Sequence, residues 1–289
     1  MIRLSAFLLP VLLFSGCEPE TLFTASDLTA EHLFTSNIEG PAWRDGYLYV
    51  VNFGRDGTVG RVDAEGQAAL FAELPVGSTA NSIRFDSNGK MFLADFTGHN
   101  VLRLDPESRA VSVLAHDTSF NQPNDLAVNR RDQVFASDPD WKNNTGRLWR
   151  IDPDGSTHLL ADSLGTTNGI TFSPDERLLY VGESVQRIIW VYDVDGSGNL
   201  SGKRKFVEFP DFGLDGMKCD QEGNLFVTRY GKGTVAIFSP EGSMLREIRM
   251  KGLKTSNVTF GGEDGRTCFV TLQDRGCVET FRVQIPGIR

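Results

Sequence analysis

The sequence predicts an all-β fold, a six-bladed β-propeller in which an N-terminal strand closes the last blade. Three observations support this prediction. A unit of about 43 residues recurs six times, every unit contains a run of strand-forming residues, and turns rich in acidic residues and glycine separate the runs. No stretch of the chain shows the hydrophobic period of a helix.

A side chain that carries an oxygen opens a short apolar run at the start of every unit. Successive members of this set are 42, 43, 44, 47 and 42 residues apart. They are Glu39, Asn81, Asn124, Asn168, Asp215 and Asn257. Because the innermost strands of a propeller surround one channel, we expect these side chains to face one another at the channel entrance.

The second strand of each unit is the clearest part of the repeat, because it is rich in Val, Phe, Tyr and Leu. These strands are predicted at residues 47–52, 91–95, 134–138, 178–183, 225–229 and 268–273. The last unit has no fourth strand of its own. Residues 31–34 are predicted to supply it, since an open ring would leave unpaired strand edges at the seam.

The composition of the chain and the motifs that it lacks argue against several classes of function. The net charge of -9 disfavours nucleic acid, whose phosphates require a basic surface. The four histidines have no metal-binding spacing, and no G-x-S-x-G motif is present. Oxygen ligands for a metal therefore remain as the main chemical signal.

The first residues have the pattern of an export signal. Arg3 precedes an apolar run over residues 4–14, which is too short to span a bilayer. The tetrapeptide 14–17 resembles a bacterial lipobox, with Phe14 where Leu is usual, so we expect a lipid on Cys17, with plain secretion as the alternative. Residues 1–16 are then a signal peptide, 17–28 a tether and 29–289 the propeller, located in the bacterial periplasm or on the outer membrane.

Two further features are expected to have structural roles. Cys268 and Cys277 fall in strands expected to be adjacent, which leaves open a disulfide or separate buried thiols. The segment 193–198 contains D-V-D-G-S-G but lacks the twelve-residue pattern of a calcium loop. We therefore expect an ordinary hairpin turn there.

Four of the entrance residues lie in short motifs that occur in a fixed order along the chain. These motifs are I-E-G-P at 38–41, Q-P-N-D at 122–125, T-N-G-I at 167–170 and L-D-G-M at 214–217, followed by F-G-G at 260–262. In this respect the chain resembles the gluconolactonase and senescence marker protein (regucalcin) family of six-bladed β-propeller hydrolases. The resemblance covers essentially everything after the tether.

The resemblance implies that Glu39, Asn124, Asn168 and Asp215 bind one divalent cation in the channel. Two carboxylates and two amide oxygens suit Ca²⁺, with Zn²⁺, Mg²⁺ or Mn²⁺ as alternatives. The implied reaction is hydrolysis of a lactone or related ester, in which the cation polarises the carbonyl and Asp215 is the base or the nucleophile.

Two other interpretations are open. Each oxygen-bearing side chain could cap only its own loop in a non-catalytic ligand-binding or scaffolding propeller with a structural metal. The second interpretation is a metal-free protein that resembles strictosidine synthase, although the four motifs would then be unexplained.

The expected partner is a small-molecule substrate, with membrane contact only through the lipid on Cys17 and with the oligomeric state left open. Many sugar lactonases of the family carry Arg where this chain has Gln122, and a neutral amide holds an anion poorly. The other expected substrate contacts are Asn81, Asp138, Arg229 and Asn257, and Asp138 is alternatively an orienting group. Trp141, in the polar loop 140–146, is expected to belong to a lid.

Overall fold

The protein, described here as a computed structural model over residues 21–288, is a ring of six four-stranded antiparallel sheets. The prediction of an all-β six-bladed β-propeller is therefore confirmed. Within residues 21–288 the elements are all strands, and no helix is long and apolar enough to cross a membrane. The expected signal peptide, residues 1–16, and Cys17 lie outside the described residues.

Five blades are formed by four consecutive strands each, and the sixth combines three strands with the N-terminal strand. The strands of the first half are β1 (Ser26–Asp27), β2 (Phe34–Arg44), β3 (Tyr47–Phe53), β4 (Thr58–Val62), β5 (Ala68–Glu73), β6 (Ala80–Phe85), β7 (Met91–Asp95), β8 (Asn100–Leu104), β9 (Val111–His116), β10 (Leu126–Val128), β11 (Val134–Asp140) and β12 (Thr145–Ile151). Those of the second half are β13 (Thr157–Leu164), β14 (Thr167–Phe172), β15 (Leu178–Glu183), β16 (Ile188–Val194), β17 (Leu200–Glu208), β18 (Met217–Cys219), β19 (Leu225–Arg229), β20 (Thr234–Phe238), β21 (Met244–Arg249), β22 (Thr255–Gly261), β23 (Thr267–Leu272) and β24 (Cys277–Arg282).

The first strand of every blade lies next to the first strands of the neighbouring blades, around the central channel. These inner strands are β2, β6, β10, β14, β18 and β22. The six predicted second strands correspond to β3, β7, β11, β15, β19 and β23, which confirms the repeat.

The hydrophobic core consists of six clusters, and each cluster fills the space between two neighbouring blades. The cluster between the first and last blades includes Val50 and Val278, and beside it Trp43 stacks on Phe269 with the ring centroids 5.1 Å apart. Because strands of adjacent blades bury each other's apolar faces, each blade depends on its neighbours to complete its core. Ring closure therefore completes the core.

The strand that closes the ring is β1, which pairs antiparallel with β24 and places Asp27 opposite Glu279. The prediction that residues 31–34 form this strand is wrong. Those residues instead cross from the last blade to the first, and the backbone amides of His32 and Phe34 donate to the turn between β23 and β24. Part of the expected tether thus belongs to the last blade.

The cysteines and the acidic hairpin segment have the structural character expected of them. The cysteines among residues 21–288 are buried and free. Cys268 and Cys277 are four positions apart in the register of β23 and β24, so the disulfide is absent. Asp195 Oδ1 accepts hydrogen bonds from the backbone amides of Ser197 and Asn199, as in an ordinary hairpin turn.

Candidate active site at the channel entrance

The four expected metal ligands line one cavity of about 350 Å³ at one end of the channel. Each side chain is nearly buried, with 2% of Glu39, 7% of Asn124, 4% of Asn168 and 9% of Asp215 exposed. They come from four different blades, so folding brings together residues that are up to 176 positions apart. Asn81 and Gln122, two of the expected substrate contacts, line the same cavity.

The backbone is irregular where the ligand residues lie. The register between β2 and β3 shifts at Glu39, and the register between β14 and β15 shifts across Asn168. Asn124 and Asp215 precede the short strands β10 and β18. A bulge or a strand end can re-aim a side chain that regular pairing would direct at the neighbouring blade. This irregularity lets the oxygens face the channel.

Glycine follows the ligand in the N-G-I and D-G-M motifs because the inner strands approach each other very closely there. A Cβ atom on Gly169 would lie 2.2 Å from the carbonyl oxygen of Asp215, and one on Gly216 would lie 2.1 Å from the side chain of Asn257. Any larger residue would force neighbouring blades apart. The motif glycines therefore set how closely the ligands converge.

The two acidic ligands are buried, which raises the pKa of both carboxyl groups. Burial is the main cause of the rise in the pKa of Glu39 to about 8, and the charge of Asp125 adds to it, while the backbone amide of Gly40 acts in the opposite direction. Burial also raises the pKa of Asp215 well above its usual range, and the charge of Glu39 contributes. Two carboxylates in such a cavity require a counter-charge to be ionised together.

The donor atoms fit a divalent cation such as calcium. Asn124 Oδ1 is buried and has no hydrogen-bond partner within residues 21–288. An unpaired buried carbonyl oxygen costs roughly 1–3 kcal/mol, and a cation ligated by that oxygen would remove the cost. The same cation would neutralise Glu39 and Asp215, and hard cations prefer oxygen ligands of this kind.

A second group of potential ligands, at the seam of the last blade, has a different role. Ligand atoms of Asp27, Cys277 and Glu279 all lie within 4.8 Å of one another. However, the Arg275 guanidinium pairs with both Asp27 and Glu279. The protein itself neutralises these carboxylates, so we assign the group to ring closure.

Within the described part of the chain, the cavity is also lined by seven residues that were not among the expected site residues, although Trp141 was expected in a lid. Gly213 and Leu214 directly precede Asp215. The other five have a common location. They share one position, the first residue after the second strand of a blade, and they are Phe96, Trp141, Ser184, Tyr230 and Gln273. This shared position is a signal that could have identified them from the repeat. Three of them are aromatic and, together with Leu214, form the apolar part of the wall.

Asp138 lies outside the cavity lining, contrary to its expected role as a substrate contact. Its carboxylate accepts hydrogen bonds from the Gln122 backbone amide at 2.6 Å and from Trp149 Nε1 at 3.0 Å. Asp95 and Glu183 hold the equivalent loops of their blades by accepting from backbone amides. Asp138 thus orients the Gln122 loop, as the alternative interpretation expected.

Arg229 and Asn257 also lie outside the cavity lining. Arg229 is 1% exposed, pairs with Asp211 and lies over the Phe209 ring, with the guanidinium carbon 3.7 Å from the ring centroid. Asn257 Oδ1 accepts from the Val258 amide. Arg229 is held by its own loop, whereas the Asn257 side chain also hydrogen-bonds to Glu39 of the neighbouring blade and so helps to position a candidate ligand.

Sequence comparisons connect this geometry with known proteins. The family model of the SMP-30/Gluconolactonase/LRE-like region matches residues 38–274. A gluconolactonase of Zymomonas mobilis subsp. mobilis is 33% identical over 217 residues, which cover 66% of this chain and 60% of that protein. The pentonolactonase XacC of Haloferax volcanii is 28% identical over 240 residues, covering 81% of this chain and 80% of that protein.

Solved structures agree with these matches. The gluconolactonase XC5397 of Xanthomonas campestris is 25% identical with a TM-score of 0.78, over 91% of this chain and 89% of that one. A calcium-binding regucalcin of Agrobacterium tumefaciens has a TM-score of 0.81 at 19% identity, over 93% and 97% of the two chains, a likeness that shows the shared fold. The chain therefore belongs to the SMP-30/gluconolactonase/LRE-like family.

Proposed function

We propose that this protein is a metal-dependent lactonase that hydrolyses an uncharged lactone or related ester. The observation that carries the proposal is the convergence of two buried carboxylates and an unpartnered amide oxygen on one cavity. The gluconolactonase and pentonolactonase among the relatives support the reaction class. Glu39, Asn124, Asn168 and Asp215 would hold the cation, most simply Ca²⁺.

A bound dication would polarise the lactone carbonyl and stabilise the negative charge that develops on its oxygen. Asp215 lies in the cavity wall, where its carboxylate can take the proton of the water that attacks the carbonyl carbon. The ring C–O bond then breaks, the departing oxygen takes up a proton, and the product is a hydroxy acid.

The rival role of Asp215 is that of a nucleophile that bonds to the acyl carbon and is released by water. Single turnover in ¹⁸O-labelled water distinguishes the two roles. Label in Asp215 would identify the nucleophile route with water attacking the Asp215 carboxyl carbon of the acyl-enzyme, whereas the base route leaves Asp215 unlabelled and places the label only in the product.

The cavity wall favours an uncharged substrate. Among the described residues that line it, the acidic side chains are Glu39 and Asp215, and none is Arg, Lys or His. An anionic acyl group would find no positive side chain in the wall to pair with, and burying an unpaired charge is costly. Phe96, Trp141 and Tyr230 offer apolar surface to the substrate ring.

The test is hydrolysis of a panel of neutral sugar lactones and aliphatic lactones by the purified protein. We expect turnover to disappear with a chelator, to return with calcium and to be lost in Asp215→Asn. Asn199→Ala, in an exposed hairpin turn, is the matched control and should retain full activity. Turnover that is indifferent to the chelator and to Asp215→Asn would refute the proposal, and metal-dependent stability without any turnover would instead support a binding propeller.

The N-terminal pattern supports a further part of the proposal, which concerns location. The apolar run over residues 4–14 and the lipobox-like tetrapeptide before Cys17 favour export and lipid attachment. The enzyme would then act in the periplasm or at the outer membrane.

A further inference from the structure

The central channel has a second mouth, at the opposite end of the inner strands from the candidate active site. It opens into a cavity of about 900 Å³ that residues of all six inner strands line. Cavities of this size accommodate small-molecule ligands. None of the four expected metal ligands contributes to the lining of this second cavity.

Two positive side chains occupy the same level of this channel. Arg84 lies three residues after Asn81, and Lys218 lies three residues after Asp215. At about 3.3 Å per residue, both are roughly 10 Å from the entrance residues toward the second mouth. The corresponding positions of the other four blades carry no charge and are Ala42, Ala127, Thr171 and Phe260.

Neither positive side chain is fully satisfied by the protein. Arg84 is 6% exposed and donates from Nη2 to Asp125 Oδ1 at 2.8 Å, but its Nε has no partner within residues 21–288. The side chain of Lys218 makes no hydrogen bond or ion pair with the described residues. The carboxylate of Asp125 is therefore the counter-charge of both Arg84 and Lys218. Burial, followed by the charge of Arg84, lowers the pKa of Lys218 to about 7.

Among residues 21–288, five acidic residues line the second mouth, and most of them are engaged at its rim. Asp45 pairs with Arg44, and Glu263 also lies in the lining. Asp86 accepts hydrogen bonds from backbone amides of its own turn. Asp132 accepts from Ser87, and Glu176 accepts from the Arg130 amide. Next to Arg84 and Lys218, the carboxylate of Asp125 therefore balances only one of two positive charges when Lys218 is protonated.

We propose that the second mouth of the channel binds a small oxyanion, such as a carboxylate or a sulfate, between Arg84 and Lys218. Lys218 Nζ is the donor that such an oxyanion would engage, beside the positive charge of the Arg84 guanidinium, and hydrogen bonds between charged groups are the strong ones. The site is separate from the lactonase cavity and does not depend on the proposed reaction.

The experiment measures binding of sodium sulfate and sodium acetate by calorimetry and by thermal shift, against sodium chloride at equal ionic strength. Lys218→Met keeps much of the side-chain volume and removes the charge. We expect anion binding that is at least about tenfold weaker in Lys218→Met than in the parent protein. Lys205→Met, which alters an exposed lysine on β17, is the matched control and should bind like the parent.

Sulfate also stabilises proteins generally, because it is excluded from their surfaces. That general effect would stabilise the parent and both variants equally, so equal shifts in all three proteins would overturn the proposal. Equal calorimetric affinities in the parent and Lys218→Met would overturn it as well. Near-ultraviolet circular dichroism of Lys218→Met that matches the parent ensures that lost binding reflects the missing charge and not misfolding.

Discussion

Arg275 and Asp27 form an ion pair across the seam of the ring, with 2.7 Å between Nη1 and Oδ1, although 248 residues separate them in the chain. Arg275 also pairs with Glu31 and with Glu279, whose side chain is fully buried. This charge cluster adds to the backbone hydrogen bonds that the amides of Phe23, Leu28 and Thr29 donate to the last blade.

Arg275→Met should destabilise the protein because it leaves the buried Glu279 carboxylate without its cation. Removing one partner of a buried pair costs about 3 kcal/mol. Urea unfolding measures the difference in the free energy of unfolding. Arg249→Met, at an exposed position on β21, is the control and should change it by less than about 0.5 kcal/mol. Equal stability of the two variants would contradict the role of Arg275.

The same cluster predicts a dependence of stability on pH. Hydrogen bonds from Arg275, followed by those from Lys251, lower the pKa of Asp27 below its ordinary value of 3.8. Because the folded-state pKa is the lower one, this contribution to stability is present above about pH 4 and is lost as the pH falls through the folded-state pKa.

Asp27→Asn should therefore narrow the difference between stability at neutral pH and at acidic pH. Urea midpoints measured from pH 7 down to pH 2.5 test this expectation. Asp162→Asn, at an exposed position on β13, is the comparison. A pH profile of Asp27→Asn that follows that of Asp162→Asn would show that Asp27 is not linked to folding.

Calcium should stabilise the protein through the entrance cavity. At a free calcium concentration of 100 times Kd, linkage adds about 2.7 kcal/mol, which raises Tm by about 5–10 °C. Asp215→Asn should remove this response while remaining at least as stable as the parent in chelator, because it removes a buried charge. Asp195→Asn, in the hairpin turn that superficially resembles a calcium loop, should keep the full response. A loss of the response in Asp195→Asn alone would place the metal elsewhere.

Gln122→Arg should change which lactones the enzyme accepts. Gln122 lines the cavity, and an arginine there would supply the positive charge that the wall lacks. We expect the ratio of kcat/KM for an acidic lactone to that for a neutral lactone to rise about tenfold, which corresponds to about 1.4 kcal/mol. Gln122→Met removes the amide without adding charge, and the same rise in this variant would contradict the electrostatic explanation.

Cys17→Ser tests the proposed anchor. In a bacterial host that attaches lipids to exported proteins, the parent chain should incorporate labelled palmitate and sediment with membranes. Cys17→Ser should lose the label and appear in the soluble periplasmic fraction. Export of the parent without any label would support plain secretion.

The sequence by itself determined the number of blades and the set of candidate ligands. Both can be recognised from local sequence. The strand pattern recurs in every repeat, and four of the six repeats carry the motifs around Glu39, Asn124, Asn168 and Asp215. Glycine after a ligand, as in Gly169 and Gly216, is likewise visible in the chain. Its physical reason, the close approach of the next blade, appears only in the structure.

Only the tertiary structure decided how polar residues outside the ligand motifs are used. Asp138 and Arg229 lie at or near the ends of their second strands, and both side chains bind their own loops. The residues that face the cavity are instead those that directly follow the second strands, such as Trp141 and Tyr230. The closing strand at Ser26–Asp27 is too short to carry a hydrophobic pattern. It is held by backbone hydrogen bonds and by charge pairs between the two ends of the chain, which come together only when the ring closes.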